Sequence, residues 1–213
     1  MRSVRLSVIL ERIMLPVTLS SFSTSSDRQL LPKLTKTKVR LLEESSVLSV
    51  EEKVEILLLF LNKKWIAEVD IGLKRKEACV TLLERLALPW YLESYDEPHV
   101  EHWIQVGANQ AVLDYVVSRR TELSDLESGV LYGFPLSHVL GYIGIIQRDM
   151  KQPTDVALYM QAGVYSKDFQ DNEADYFRKV WQEVKKISPV IARQSEKVFN
   201  SYRTSVQKVR ERS

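Results

Sequence analysis

Between residues 50 and 87 the apolar period switches from 3.6 to 2 and back, and that switch limits the chain to folds mixing helices with a sheet. Ser49 and Glu52 have the S-x-x-E spacing of a capping box, and Val54, Leu57, Leu58 and Leu61 follow at helical intervals. A helix is expected over 50–62. From Trp65 to Ile71 the pattern alternates, with Val69 and Ile71 on one strand face and Glu68 and Asp70 on the other, and Gly72 closes the run. Helical spacing returns over 73–87 through Ala78, Leu82, Leu83 and Leu86, until Pro89.

The same reasoning extends along the chain. Trp90-Tyr91-Leu92 and Trp103 to Val106, either side of an acidic turn at Asp96-Glu97-Pro98, read as two strands. Asn109 is the expected N-cap of a helix through Arg120, and Ser124 with Glu127 opens a short helix that must stop before Phe134-Pro135. A helix is expected from Leu136 to about Gln147, and a strand from Val156 to Tyr165 with Gly163 as its bulge. Ala174, Phe177, Val180, Trp181, Val184 and Ile187 form one helical stripe, and Ser188-Pro189 starts a last helix carrying Ile191, Val198, Phe199 and Tyr202. The expected class is α+β: a small sheet of about four short strands with helices packed on it and a C-terminal helical pair.

At 213 residues, 45% hydrophobic and 27% charged, the chain suffices for one sizeable core. Its single cysteine, Cys79, excludes an internal disulfide and a cysteine-rich zinc cage, which favours a reducing, cytoplasmic setting. The +2 net charge is unevenly spread: residues 1–40 hold 8 basic and 2 acidic groups, 41–192 hold 16 and 24, and 193–213 hold 6 and 2. This divides the chain into a basic arm over 1–40, an α+β core over 41–188 and a basic amphipathic helix over 189–213. The arm's Arg2, Arg5, Arg12 and following serines have the composition of an organellar transit peptide, the alternative location. No transmembrane segment is expected, because the most apolar window, 129–146, is too short and contains Pro135 and four glycines.

Three groups of residues are candidates for function. Four of the seven glycines lie in GVLYGFPLSHVLGYIG, where a helix would align Ser137, Gly141 and Gly144 as a groove edged by His138. That groove either holds a ligand or accepts a neighbouring helix, with His138 then a core histidine bonded to a carbonyl. His99 and His102 share a face on a helix and could hold a metal, but occupy opposite faces of an extended chain, and they lack H-E-x-x-H spacing. Arg193, Lys197, Arg203, Lys208 and Arg210 on the last helix form a candidate anion-binding surface for nucleic acid, an anionic membrane surface or an acidic partner helix. A nucleophile elbow, a phosphate loop and a dinucleotide fingerprint are absent, so no cofactor is expected.

The stretch LYGFPLSHVLGYIG, with Tyr165-Ser166-Lys167-Asp168 and the helix from Trp181-Gln182-Glu183 to Ile187-Ser188-Pro189, resembles segments of uncharacterised prokaryotic proteins. The resemblance spans about the last third of the chain and implies no activity. The functional expectation is a non-enzymatic α+β binding or protein-interaction domain, with a protein partner or a second copy as ligand. A small enzyme or metal-binding protein using the His99/His102 region, and nucleic-acid association through the basic termini, are the alternatives.

Overall fold

Eight helices and five strands follow one another among the residues that the computed structural model describes, 33–72, 75–93, 103–149 and 165–210. The first helix, α1 (Lys36–Glu44), is capped by Thr35, whose Oγ1 accepts from Lys38 N at 3.3 Å. It buries Leu42 completely, so regular structure starts before residue 41. The capping box at Ser49 opens α2 (Val50–Phe60), with both reciprocal bonds formed. Ile56, Leu57, Leu58, Leu59 and Phe60 are all buried, which makes the second half of α2 apolar all round, while Glu51, Glu52, Lys53 and Glu55 fall in its first half.

Strand β1 (Ile66–Asp70) is followed by α3 (Lys76–Arg85), β2 (Trp90–Glu93) and β3 (Trp103–Gly107). These strands form an antiparallel sheet in the order β1-β3-β2, with Ala67 opposite Val106, Glu68 opposite Gln105, and Tyr91 also opposite Gln105. Ala67, Val69, Ile104 and Val106 are fully buried on one face, as the alternation requires. The other face is divided. At one end Ile66 clusters with Leu113 and Val116 of α4 (Gln110–Ser118), capped by Asn109, while Glu68, Asp70 and Trp103 occupy the other end.

Next come α5 (Asp125–Leu131), with its capping box at Ser124, and α6 (Leu136–Tyr142), which pack on each other. Among the described residues the sheet has three strands where about four are expected. Tyr165 does lie in a strand, but β5 (Tyr165–Ser166) pairs with β4 (Arg148–Asp149) in a separate two-residue ribbon. Residues 156–163, with the expected bulge, lie outside the described residues. The C-terminal pair is α7 (Gln170–Ile187) and α8 (Pro189–Arg210), which pack on each other and on α2. Ser188 Oγ accepts from Ile191 N at 3.1 Å, the N-cap read from Ser188-Pro189, and donates to Glu43 Oε1 at 2.6 Å. No described helix is long and apolar enough to cross a membrane.

Four helices end by the same device. In α2, α3, α5 and α6 the residue past the end has positive φ, at Asn62, Ala87, Gly133 and Gly144. The next amide then bonds back five residues, Lys63 N to Leu58 O, Leu88 N to Leu83 O, Phe134 N to Gly129 O and Ile145 N to Leu140 O. This corrects the helix expected to run to Gln147. Gly144, at φ +79°, ends α6 at Tyr142.

Candidate functional site

Five carboxylates are brought together where α2 meets the polar end of the sheet. Glu51 and Glu55 are four residues apart and share a face of α2, with Glu52 beside them in the first turn. Strand alternation puts Glu68 and Asp70 on one face of β1, with Trp103 opposite Asp70 on β3. Tyr132 and Phe134 complete the wall from the turn between α5 and α6, and together with Ser49, Lys64 and Arg75 these residues line a half-open cleft of about 530 Å³.

Both cations in the cleft are engaged by the protein itself. Arg75 donates to Val47 O at 2.7 Å, to the Glu52 carboxylate at 3.3 and 3.4 Å, and to Asp70 O, tying the start of α2 to the end of β1. Lys64 is bonded to Glu55, with its Nζ 5.5 Å from the Tyr132 ring centroid. Glu52 also accepts from Ser49 N at 2.6 Å. The start of α2 therefore presents its own carboxylate where a helix N-terminus would otherwise attract an anion. Glu51, Glu68 and Asp70 form no ion pair among the described residues, and the cleft is net acidic.

Tyr132 OH donates to Glu68. Burial, and then the adjacent Glu68 charge, push the phenol far above its usual range, so it stays protonated as a donor. On the same sheet face, Gln105 is only 8% exposed and its Oε1 has no partner among the described residues. A buried acceptor without a donor is costly, and this one stands directly opposite Glu68.

Phe134 connects the cleft to a buried ionisable pair. Its ring stacks on His138 with centroids 5.0 Å apart and planes at 8°, and His138 meets Phe177 edge-on at 6.0 Å. His138 Nδ1 lies 3.6 Å from Glu173 Oε2, with side-chain exposures of 6% and 1%. Desolvation lowers the imidazole pKa below its usual 6.5, against the opposing pull of the Glu173 carboxylate. The unfolded chain therefore takes up this proton first as pH falls. Stability contributed by the neutral, buried ring is present above pH 6.5 and declines below it. Urea unfolding at pH 7.5, 6.5 and 5.5 should show a steeper acid loss for the natural protein than for His138→Gln; parallel losses would mean that His138 does not titrate on unfolding.

The groove read from the glycine-rich stretch is not formed as expected. His138 and Gly141 are buried on α6 and Ser137 is half-buried, but Gly144 lies beyond the helix with nothing within 4 Å of a Cβ placed on it. Within the same stretch, close approach occurs at Gly129 and Gly133. A Cβ on Gly129 would stand 2.6 Å from Val139, where α5 meets α6, and one on Gly133 would stand 1.9 Å from Lys63 O.

His99 and His102 lie outside the described residues, among which no group of three potential ligands could hold a metal ion. Cys79 is buried, and desolvation raises its thiol pKa, which keeps it protonated and unreactive. Arg193 and Lys197 are exposed on α8; Arg203, Lys208 and Arg210 belong to the same helix, with side chains outside the described ones. The alternation that separates Glu68 and Asp70 from Val69 was visible in the sequence; their convergence with α2 and with Tyr132 and Phe134, more than sixty residues downstream, had no local signal. Comparison with protein families, characterised proteins and solved structures finds no match for the chain.

Proposed function

We propose that this protein is a non-enzymatic binding domain whose cleft between α2, β1 and the α5–α6 turn receives a positively charged segment of a partner protein. The observation that carries this reading is the lining: five carboxylates against two cations that are already paired, with the rings of Trp103, Tyr132 and Phe134 beside them. Carboxylates supply attraction and hydrogen-bond acceptors for an ammonium or guanidinium group, and ring faces add a cation–π contribution. Lys64, held by Glu55 over Tyr132, is an example of this recognition within the chain itself.

The test is fluorescence anisotropy of the full chain with labelled pentalysine and labelled pentaglutamate at low and physiological salt. Pentalysine is expected to bind and to weaken strongly as the screening length contracts to about 8 Å at physiological ionic strength. Glu51→Gln and Glu68→Gln should each weaken it by about two- to fivefold, the effect of one partly solvated charge. Equal binding of pentaglutamate, or salt-independent binding, would overturn the reading.

A further inference from the structure

Resting on that reading, we propose that the cationic segment binds as an extended strand added to the free edge of β1. The register of the sheet determines which main-chain groups that edge presents. Ala108 N donates to Trp65 O at 2.8 Å, and Gly107 N donates to Pro89 O at 3.0 Å. Bonded pairs alternate along an antiparallel ladder, so β3 exchanges bonds with β1 at Val106 and Ile104, and with β2 at Gln105 and Trp103.

It follows that Glu68, opposite Gln105 in the β1–β3 pair, points its amide and carbonyl away from the sheet. Asp70 has the same polarity, and its carbonyl accepts from Arg75, as an outward-facing group can. At the start of the strand the chain is tied to α5 by Trp65 N bonding to Leu131 O at 2.8 Å. Among the described residues the open part of the edge is therefore at Glu68, which lines the cleft, since Arg75 already occupies the Asp70 carbonyl.

Edges left open usually carry a lysine, a proline or a bulge that discourages pairing. β1, with the sequence Ile-Ala-Glu-Val-Asp, is guarded instead by negative charge, which selects among the strands that could pair with it. Pairing with the β1 edge of a second copy would set Glu68 and Asp70 against the same acidic residues, which like-charge repulsion opposes. A basic strand meets no such opposition. Alternate side chains of an added strand point to opposite faces, and those on the face of Glu68 and Asp70 enter the cleft that Glu51 and Glu55 of α2 also line. Only the face of Glu68 and Asp70 opens on that cleft, since Ala67 and Val69 on the other face are buried, so the ligand class is an extended peptide with lysine or arginine at every second position.

The experiment uses the full chain with acetyl-Lys-Val-Lys-Val-Lys-amide and its five singly N-methylated analogues, measured by anisotropy competition and by amide hydrogen exchange. Methylation removes an amide donor without altering charge. In the expected result, methylating the amides of one alternate set weakens binding by about tenfold, the other set tolerates it, and exchange of the Glu68 amide slows when the parent peptide saturates the site. Uniform tolerance of methylation with unchanged Glu68 exchange, while the peptide still binds, would overturn strand addition and leave the cation-binding reading standing. Failure of the parent peptide to bind at low salt would overturn both.

Discussion

Gly133→Ala is expected to destabilise the protein by about 3 kcal/mol or more, measured by urea unfolding. Two costs combine at this position. Its φ of +80° is a left-handed conformation, which costs a residue with a side chain about 1–2 kcal/mol. A Cβ there would also stand 1.9 Å from Lys63 O and 2.9 Å from Lys63 C, main-chain atoms that cannot rotate aside and whose displacement costs about 1–3 kcal/mol more. Gly144 separates the two effects. It has the same role at the end of α6 and a φ of +79°, but nothing within 4 Å of an added Cβ, so Gly144→Ala should incur only the conformational cost. If the two variants unfold at the same urea concentration, the close approach of the α5–α6 turn to Lys63 is wrong. Because Gly133 stands between Tyr132 and Phe134, its replacement should also weaken pentalysine binding.

Lys64→Ala should cost about 3–5 kcal/mol, because it leaves Glu55 charged and unpaired in a largely buried setting. The Lys64 and Glu55 side chains are only 10% and 13% exposed. Replacing both with apolar residues, Lys64→Met with Glu55→Leu, should recover most of the loss, since the desolvation of both charges is relieved together. A double-mutant cycle with denaturant unfolding checks this: a coupling energy near zero would mean that the pair is solvated and contributes nothing. The double variant removes one acidic group and one basic group, so the net charge of the cleft is unchanged. It therefore tests whether the paired lysine shapes the site or only supports it.

The residues that start and stop helices were legible because their chemistry is local. Ser49 with Glu52, Asn109, Ser124 with Glu127, and Ser188 with Pro189 all cap the helices their spacing predicts. Each satisfies main-chain donors within four residues, so no distant contact is needed to recognise it. α1 escaped notice because its apolar content is thin and most of its length is charged or polar, and burial of Leu42 and the bond from Ser188 to Glu43 depend on segments distant in sequence. The glycines were legible as a class and ambiguous one by one. Gly129 marks close helix packing, Gly133 combines a helix stop with a close approach, and Gly144 is a helix stop alone, a distinction made by neighbours at Val139 and Lys63 that sequence order does not reveal.

The sequence by itself determined the α+β class, the order of helices and strands apart from α1 and the β4–β5 ribbon, and the acidic face of β1, because hydrophobic period and capping depend on residues a few positions apart. The tertiary structure alone decided that the sheet has three strands in the order β1-β3-β2, that β1 is an edge, and that His138 faces Glu173. It also decided that the acidic face of β1 becomes a cleft, by carrying α2 and the Tyr132–Phe134 turn to it. Contacts between distant segments are selected by the burial of the whole core, an energy spread over many residues that leaves no pattern at the positions brought together.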